Sequence, residues 1–224
     1  MKTIFITGGT GYMGRRLIRE LLRRGHRVIA LVRPGSEQKV PVGAEIVVAD
    51  PFDAASFADL IPAGSVFVQL LGVAHPSPAK AEAFKQIDLV SVRESILAAQ
   101  TAQVAHFVYV SVAQEPTRIM QAYQQVRQIG ETMARQRGLN CTFIRPWYVV
   151  GPGHWWPVLL LPLYGLAELF PGVRQKARAL GFVTLSQMLA TLQIAIESEP
   201  KPLAVFDVAD IRRCQPEGIH RLNC

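Results

Sequence analysis

FITGGTGYMGRR, residues 5–16, is the stretch that decides the fold of this chain. Gly8, Gly11 and Gly14 recur at every third position, between an apolar run that predicts a strand and a periodic segment that predicts a helix. In a strand–turn–helix unit, such glycines allow a tight turn, a close approach of backbone to a pyrophosphate, and close packing of helix on strand. The free N–H groups and the positive end of the helix dipole favour an anion. The stretch therefore predicts a phosphate-cradling loop.

Short apolar runs alternate with longer helical patterns over the first two thirds of the chain. The runs predict strands at 3–8, 26–33, 44–50, 65–72, 106–112 and 141–146, and helices between them at 13–25, 53–60, 79–103 and 117–138. Continuous Val, Ile and Phe runs separated by helices are typical of parallel strands that are buried on both faces. The sequence therefore predicts an α/β protein with a doubly wound parallel sheet, a Rossmann fold with helices on both faces.

The pattern becomes less regular after Pro146. A helix is predicted at 185–198 and a last strand at 204–209. No internal repeat or linker interrupts the chain, so we expect residues 1–224 to form a single domain. Its segment 151–181 is rich in Gly, Pro and apolar side chains, which predicts a small substrate-side or interface insertion.

Composition narrows the classes of partner. Half of the 224 residues are hydrophobic, so a substantial core is expected, and the net charge of +7 favours acidic ligands. We expect neither nucleic acid nor a metal ion, because the sequence has no zinc-ligand spacing and no basic tract interleaved with aromatic residues. Three widely spaced cysteines, no signal-peptide layout and no apolar run of roughly 18–20 residues predict a cytoplasmic protein.

Further segments complete a family pattern around the T-G-x-x-G-x-x-G loop. They are ALVRPGS (30–36), VVADPFD (47–53), VFVQLLGVA (66–74), HFVYVSVA (106–113), YQQVRQIGE (123–131) and GLNCTFIRPWYVVGPG (138–153). With them the chain resembles the extended and atypical short-chain dehydrogenases, in particular the NmrA-like and complex-I-accessory-subunit-like branch, over most of residues 1–210. The R-P-x-x-V-x-G-P-G form of the last segment is the most specific part of the resemblance.

The resemblance implies a bound dinucleotide that runs along the carboxyl ends of the strands. The implied cofactor contacts are Gly8, Thr10, Gly11, Tyr12, Met13, Gly14, Arg33, Ser36, Asp50, Pro51, Leu71, Gly72, Val73, Ser111, Tyr123, Arg127, Pro146, Trp147, Tyr148 and Val149. An acidic residue at the end of the second strand would bind a ribose 2′-hydroxyl and repel a 2′-phosphate. Arg33 stands there instead, with Ser36 nearby and no acid before Glu37, which favours NADP over NAD.

The catalytic residues of the resembled family are only partly present. In that family a Tyr four residues before a Lys transfers the proton, a Ser orients the substrate carbonyl, and the Lys lowers the pKa of the Tyr. Tyr123 occupies the Tyr position, but Arg127 stands for the Lys, and its charge could still lower the pKa of a nearby phenol. Val112 falls at the Ser position, and strand alternation would direct the preceding Ser111 to the opposite face. Tyr123, Arg127 and Ser111 are the predicted catalytic residues.

Three interpretations of function stay open. The first is an NADP-binding oxidoreductase that acts on an apolar carbonyl or lipid-like substrate. The second is a non-catalytic NADP(H)-binding redox sensor or scaffold, because Val112 and Arg127 depart from the family pattern. The third is an enzyme like the sugar-nucleotide epimerases and dehydratases. We expect a monomer or homodimer, and the apolar, aromatic and basic segment 155–178 favours a peripheral membrane contact as a further interpretation.

Overall fold

A parallel sheet of seven strands forms the centre of the protein. The computed structural model describes residues 1–117, 119–153 and 180–215. The strands, in the order of the sheet, are β3 (Glu45–Val48), β2 (Arg27–Val32), β1 (Thr3–Thr7), β4 (Val66–Gln69), β5 (His106–Val110), β6 (Cys141–Ile144) and β9 (Leu203–Phe206). The order reverses between β1 and β4, and this switch point is where open α/β sheets bind ligands.

Helices join these strands. The helices, numbered over the described residues, are α1 (Gly14–Arg23), α2 (Ala81–Ala83), α3 (Val90–Thr101), α4 (Gln121–Gln136), α5 (Leu185–Glu197) and α6 (Val208–Arg213). A π-helical stretch, Phe84–Leu89, joins α2 to α3, and short 3-10 turns lie at Glu37–Lys39, Ala54–Ser56, Ala58–Leu60 and Pro78–Lys80. Two short parallel strands, β7 (Tyr148–Val150) and β8 (Phe182–Thr184), form a separate two-stranded sheet. In the sequence they come between β6 and α5.

Each face of the sheet buries its own apolar layer. On one face, β1 packs against α1 and α5, with Ile4, Leu17 and Leu192 buried completely. On the other face, Phe5 and Phe67 of the sheet pack against α3, where Val92 is buried completely. The predicted α/β fold with a doubly wound parallel sheet and helices on both faces is confirmed.

Several predicted boundaries were wrong. The helix predicted at 117–138 begins at Gln121, and the strand predicted at 106–112 ends at Val110. The last predicted strand ends at Phe206, because Asp207 caps α6 by accepting the N–H groups of Ala209 and Asp210. The pair β7 and β8 was not predicted, since each of these strands has only three residues. No helix in the described ranges is both long and apolar enough to cross a bilayer.

Three packed aromatic rings hold the centre of the sheet against α3. The Phe67 ring lies 5.3 Å from the Phe5 ring and 5.4 Å from the Phe107 ring, measured between centroids. All three side chains are buried completely. These neighbouring strands carry the segments that reach the switch point, so this packing fixes where the site forms.

We expect Phe67→Ala to lower the free energy of unfolding by about 3–5 kcal/mol, because the truncation leaves a cavity between two rings. The control is Leu60→Ala, which shortens a side chain that is 49% exposed and should cost about 0.5 kcal/mol. Urea denaturation of both variants measures the difference. Equal losses in the two variants would contradict the role of this cluster.

Candidate functional site

The glycine loop forms a tight turn between β1 and α1. Gly8 has a positive φ of 70°, a conformation that glycine adopts without a steric penalty, and its carbonyl accepts the Gly11 N–H at 3.0 Å. A Cβ at Gly8 would lie 2.8 Å from the backbone of both Leu70 and Leu71, and a Cβ at Gly14 would collide with the Gly8 carbonyl. The loop therefore packs backbone against backbone at the switch point.

The start of α1 is arranged to receive an anion. Met13 precedes the helix without a side-chain cap, and the first turn contains no acidic residue. The backbone N–H groups of Met13 and Gly14 donate to no acceptor within the part of the chain that the structure describes. Gly11 is exposed and would meet only the Gly8 carbonyl, at 3.2 Å, if it carried a Cβ. Free donors, the helix dipole and a bare backbone together fit the pyrophosphate of a dinucleotide.

Buried hydrogen bonds fix the end of β4 beside the glycine loop. The Thr7 hydroxyl donates to the Gln69 carbonyl oxygen, and the Gln69 amide donates to the Ser91 hydroxyl at 3.2 Å. The Ser95 hydroxyl also donates to Gln69, at 3.1 Å. This network connects β1, β4 and α3, so it sets the path of the following residues Leu71, Gly72 and Val73.

The predicted contacts to the adenosine half follow the ends of β2 and β3. Arg33 is exposed directly after β2, and its carbonyl accepts the Ser36 N–H at 3.1 Å. Arg33 forms no ion pair with any residue that the structure describes. Asp50 follows β3, where its carboxylate accepts the Phe52 N–H at 2.9 Å, while Pro51 is buried. Arg33 and Ser36 thus share one turn at the edge of the switch point, and Asp50 lies after the adjacent strand.

A cavity of about 510 Å³ lies beyond the glycine loop, at the carboxyl ends of β5 and β6. Its lining consists of Met13, His75, Pro76, Ser77, Pro78, Val110, Ser111, Val112, Ile119, Met120, Tyr123, Pro146, Trp147, Tyr148 and Val149. No Asp, Glu, Lys or Arg belongs to this lining among the described residues. The cavity therefore fits an uncharged, mainly apolar molecule.

Ser111 and Val112 both line this cavity, contrary to the expectation that they point to opposite faces. Strand alternation does not apply to them, because β5 ends at Val110. Ser111 is 2% exposed, and its hydroxyl has no hydrogen-bond partner in the described part of the structure. A buried hydroxyl without a partner at a cavity wall is suited to hydrogen-bond a polar atom of a ligand.

Tyr123 lies in the first turn of α4 and lines the same cavity. Its ring centroid is 4.8 Å from that of Phe84 and 5.1 Å from the Arg127 guanidinium carbon. Burial raises the pKa of Tyr123, the Arg127 charge opposes this shift, and the Asp88 charge adds to it. The net shift is thus upward, not downward as the Arg127 charge alone would give, and the phenol is protonated at neutral pH.

Arg127 is buried and makes its contacts inside the protein. Its guanidinium forms an ion pair with Asp88 and donates to the Val110 carbonyl at 3.0 Å and to the Tyr109 hydroxyl at 3.4 Å. The second Asp88 oxygen accepts the Val73 N–H at 3.0 Å. Burial raises the pKa of Asp88, and the Arg127 charge and the Val73 N–H oppose the rise. Sequence reasoning missed Asp88, and only its place in a helical pattern beside apolar residues could have marked it.

The structure brings most of the predicted site residues to one edge of the sheet. Ser111, Tyr123, Met13 and the segment 146–149 line one cavity, whereas Arg127 lies behind Tyr123 and outside the lining. The Tyr12 hydroxyl lies against Gly151, where a Cβ would be 2.6 Å away, and the Arg16 guanidinium carbon is 4.3 Å from the Tyr12 ring centroid. The residues proposed for membrane contact at 155–178 lie outside the described residues.

Comparison with known proteins agrees with this geometry. The chain is 34% identical over 120 residues to a divinyl chlorophyllide a 8-vinyl-reductase of Oryza sativa, which covers 49% of this chain and 29% of that protein. It is 27% identical over 214 residues to a ceramide reductase of Caulobacter vibrioides, which covers 94% of this chain and 65% of that protein. The chain thus spans less than two thirds of either relative.

A solved UDP-galactose 4-epimerase has the same fold. It aligns with a TM-score of 0.68 at 19% identity and covers 94% of this chain and 81% of that structure. The parallel sheet and its glycine loop define a dinucleotide-binding Rossmann fold. A family model described as NAD(P)H-binding matches residues 8–151, and the chain belongs to this family.

We expect Gly11→Ala to weaken NAD(P)H binding at least about tenfold, because a methyl group would stand where the backbone would approach the pyrophosphate. The fold should lose only about 0.5 kcal/mol of stability, since the new Cβ meets a single atom within 4 Å. Calorimetric titration with NADPH measures binding, and urea denaturation of the same sample measures stability as the control. Unchanged affinity would exclude this loop as the pyrophosphate site.

Proposed function

We propose that this protein is a reductase that uses NADPH to reduce an uncharged, apolar carbonyl compound. The observation that carries the proposal is the cavity of about 510 Å³, whose mainly apolar lining includes Tyr123 and Ser111. A substrate carbonyl placed between these two hydroxyls would accept hydrogen bonds from both of them. The name of the Caulobacter relative, a ceramide reductase, supports a lipid-like substrate.

The residues divide the chemistry between orientation and proton transfer. A dihydronicotinamide, when bound at the glycine loop, would supply a hydride to the carbonyl carbon. Ser111 holds the carbonyl oxygen by a hydrogen bond, and Tyr123 donates its phenolic proton to that oxygen as the carbon–oxygen double bond becomes single. The apolar lining, with Val112, Met120 and Val149, excludes water from the reacting carbonyl.

A preference for NADP over NAD is supported by charge at the end of β2. Arg33 is exposed, and no residue that the structure describes forms an ion pair with it, so its guanidinium remains able to bind a 2′-phosphate. Ser36 lies in the same turn and offers a second donor. The acidic residue that would bind a free 2′-hydroxyl is absent from 30–36.

We expect Tyr123→Phe to lower kcat/KM for carbonyl reduction at least about 100-fold, because the variant lacks the proton donor. The measurement is NADPH consumption with a panel of long-chain ketones, aromatic ketones and quinones. NADPH affinity and Tm are the controls, and both should stay at the wild-type values. Turnover that survives in the variant would exclude Tyr123 as the donor, and no turnover of any carbonyl by the wild-type protein would exclude the proposed reaction.

We expect Arg33→Ser to weaken NADPH binding about tenfold or more and to leave NADH binding unchanged, because only NADPH carries the phosphate. Arg93→Ser is the matched control, since Arg93 is also an exposed arginine but lies on α3. Fluorescence titration with both dinucleotides measures the two affinities. Parallel losses for NADPH and NADH would contradict a 2′-phosphate contact.

A non-catalytic, dinucleotide-binding sensor is the second candidate. The observation that favours it is the internal pairing of Arg127 with Asp88, which keeps this residue from acting as the lysine of the resembled family does. This candidate predicts NADPH binding without turnover of any carbonyl in the panel. The turnover measurement on the wild-type protein therefore separates the two candidates.

A further inference from the structure

The buried ion pair between Arg127 and Asp88 lies where four segments meet. Arg127 comes from α4 and Asp88 from the π-helical stretch Phe84–Leu89. The pair is bonded to the Val73 N–H after β4 and to the Val110 carbonyl at the end of β5, each at 3.0 Å. A Cβ at residue 72 would collide with the Arg127 guanidinium and lie 2.8 Å from an Asp88 oxygen. The ion pair thus packs directly against the Gly72–Val73 backbone, beside the cavity.

The same pair sets the charge next to Tyr123. The guanidinium carbon of Arg127 is 5.1 Å from the Tyr123 ring centroid, and the Asp88 carboxylate is bonded to that guanidinium. The titratable or charged groups around Tyr123 come from several elements: Arg127 of α4, Asp88 of the π-helical stretch, Tyr109 of β5, and His75 and Tyr148 of the same cavity lining. Of these, only Asp88 carries a compensating negative charge.

We propose that Asp88 is a positioning residue of this site. By pairing with Arg127, it compensates the guanidinium charge beside Tyr123 and connects the Gly72–Val73 backbone to α4. As a result, Tyr123 acts as a neutral proton donor and not as a base. The inference deepens the proposed reductase function and rests on it. The substrate class stays as proposed above, an uncharged carbonyl compound reduced by a dinucleotide.

The consequence is that reduction of the carbonyl is favoured over oxidation of the alcohol at neutral pH. In reduction, the carbonyl carbon gains a hydride from the reduced dinucleotide, the carbonyl oxygen gains the Tyr123 proton, and the phenolate that remains takes a proton from water. In the reverse reaction, the Tyr123 phenolate would have to accept the alcohol proton as the alcohol carbon gives up a hydride to an oxidised dinucleotide. A Tyr123 that stays protonated has no capacity to accept this proton, so oxidation of the alcohol should require alkaline pH.

The test is a pH titration of tyrosinate absorbance in the ligand-free chain, with the titration of the Tyr123→Phe background subtracted. We expect Asp88→Asn to move the Tyr123 midpoint down by about one pH unit, which is about tenfold more phenolate at a given pH, because Arg127 is then uncompensated. The double variant Asp88→Asn with Arg127→Gln removes both charges and should titrate at or above the wild-type midpoint. Glu94→Gln, which removes the same charge from α3, is the matched control and should titrate as the wild type does.

The opposite pattern would overturn the proposal. A midpoint in Asp88→Asn at or above the wild-type value, or equal to that of the double variant, means that Asp88 does not compensate Arg127 toward Tyr123. If Asp88→Asn yields no folded protein, the double variant tests whether charge pairing is what requires the two residues. Folding with a midpoint at or above that of the wild type supports the charge pairing, and failure to fold contradicts it, because packing rather than charge would then require these residues.

Kinetics supply the second readout. In the wild type, oxidation of the alcohol product should rise with pH to the Tyr123 midpoint, and in Asp88→Asn this limb should shift to lower pH together with the absorbance midpoint. A limb that stays in place while the absorbance midpoint moves contradicts the link between Asp88 and proton transfer. Because the absorbance titration needs no substrate, its result is independent of whether the protein turns over any carbonyl in the panel, so failure of the reductase function and failure of the charge pairing are distinguished.

Discussion

The close approach of two backbones at the switch point is the constraint on which the site depends. The turn after β1 and the segment after β4 are so near that a Cβ at Gly8 would lie 2.8 Å from Leu70 and Leu71. Neither segment could shift to admit a side chain without breaking the hydrogen bonds among Thr7, Gln69 and Ser91. Only with glycine at position 8 can the loops after the parallel strands β1 and β4 meet at one point. The start of α1 is directed at this point.

The two halves of the site are built on different physical principles. The dinucleotide half uses bare backbone, free N–H groups and an exposed arginine, which suit an anionic ligand that arrives from water. The cavity half has mainly apolar walls without Asp, Glu, Lys or Arg among the described residues, which suit an uncharged, mainly apolar molecule. The ion pair of Asp88 and Arg127 lies behind both halves and holds the ends of β4 and β5 in place. Its two charges are buried together, which avoids the large cost of burying either one alone.

Much of the fold was predictable because its elements are set by local patterns. Continuous apolar runs such as residues 3–8 and 106–112 mark buried parallel strands, and the periodic leucines of 13–25 mark a helix. Strand ends were less predictable, since the end of β5 at Val110 depends on its pairing with β6 and not on its own residues. That one boundary changes the chemistry, because Ser111 and Val112 then both face the cavity.

The sequence by itself determined the parallel sheet, the glycine loop and the charge at Arg33, because each depends on residues that are close together in the chain. Tertiary structure alone decided the surroundings of Tyr123. Arg127 is four positions away in the sequence, but Asp88 is 39 positions from Arg127, and only the packing of the π-helical stretch against α4 brings the carboxylate to the guanidinium. Since the pKa of a phenol follows from its burial and from all the charges around it, no local motif could have given the net upward shift at Tyr123.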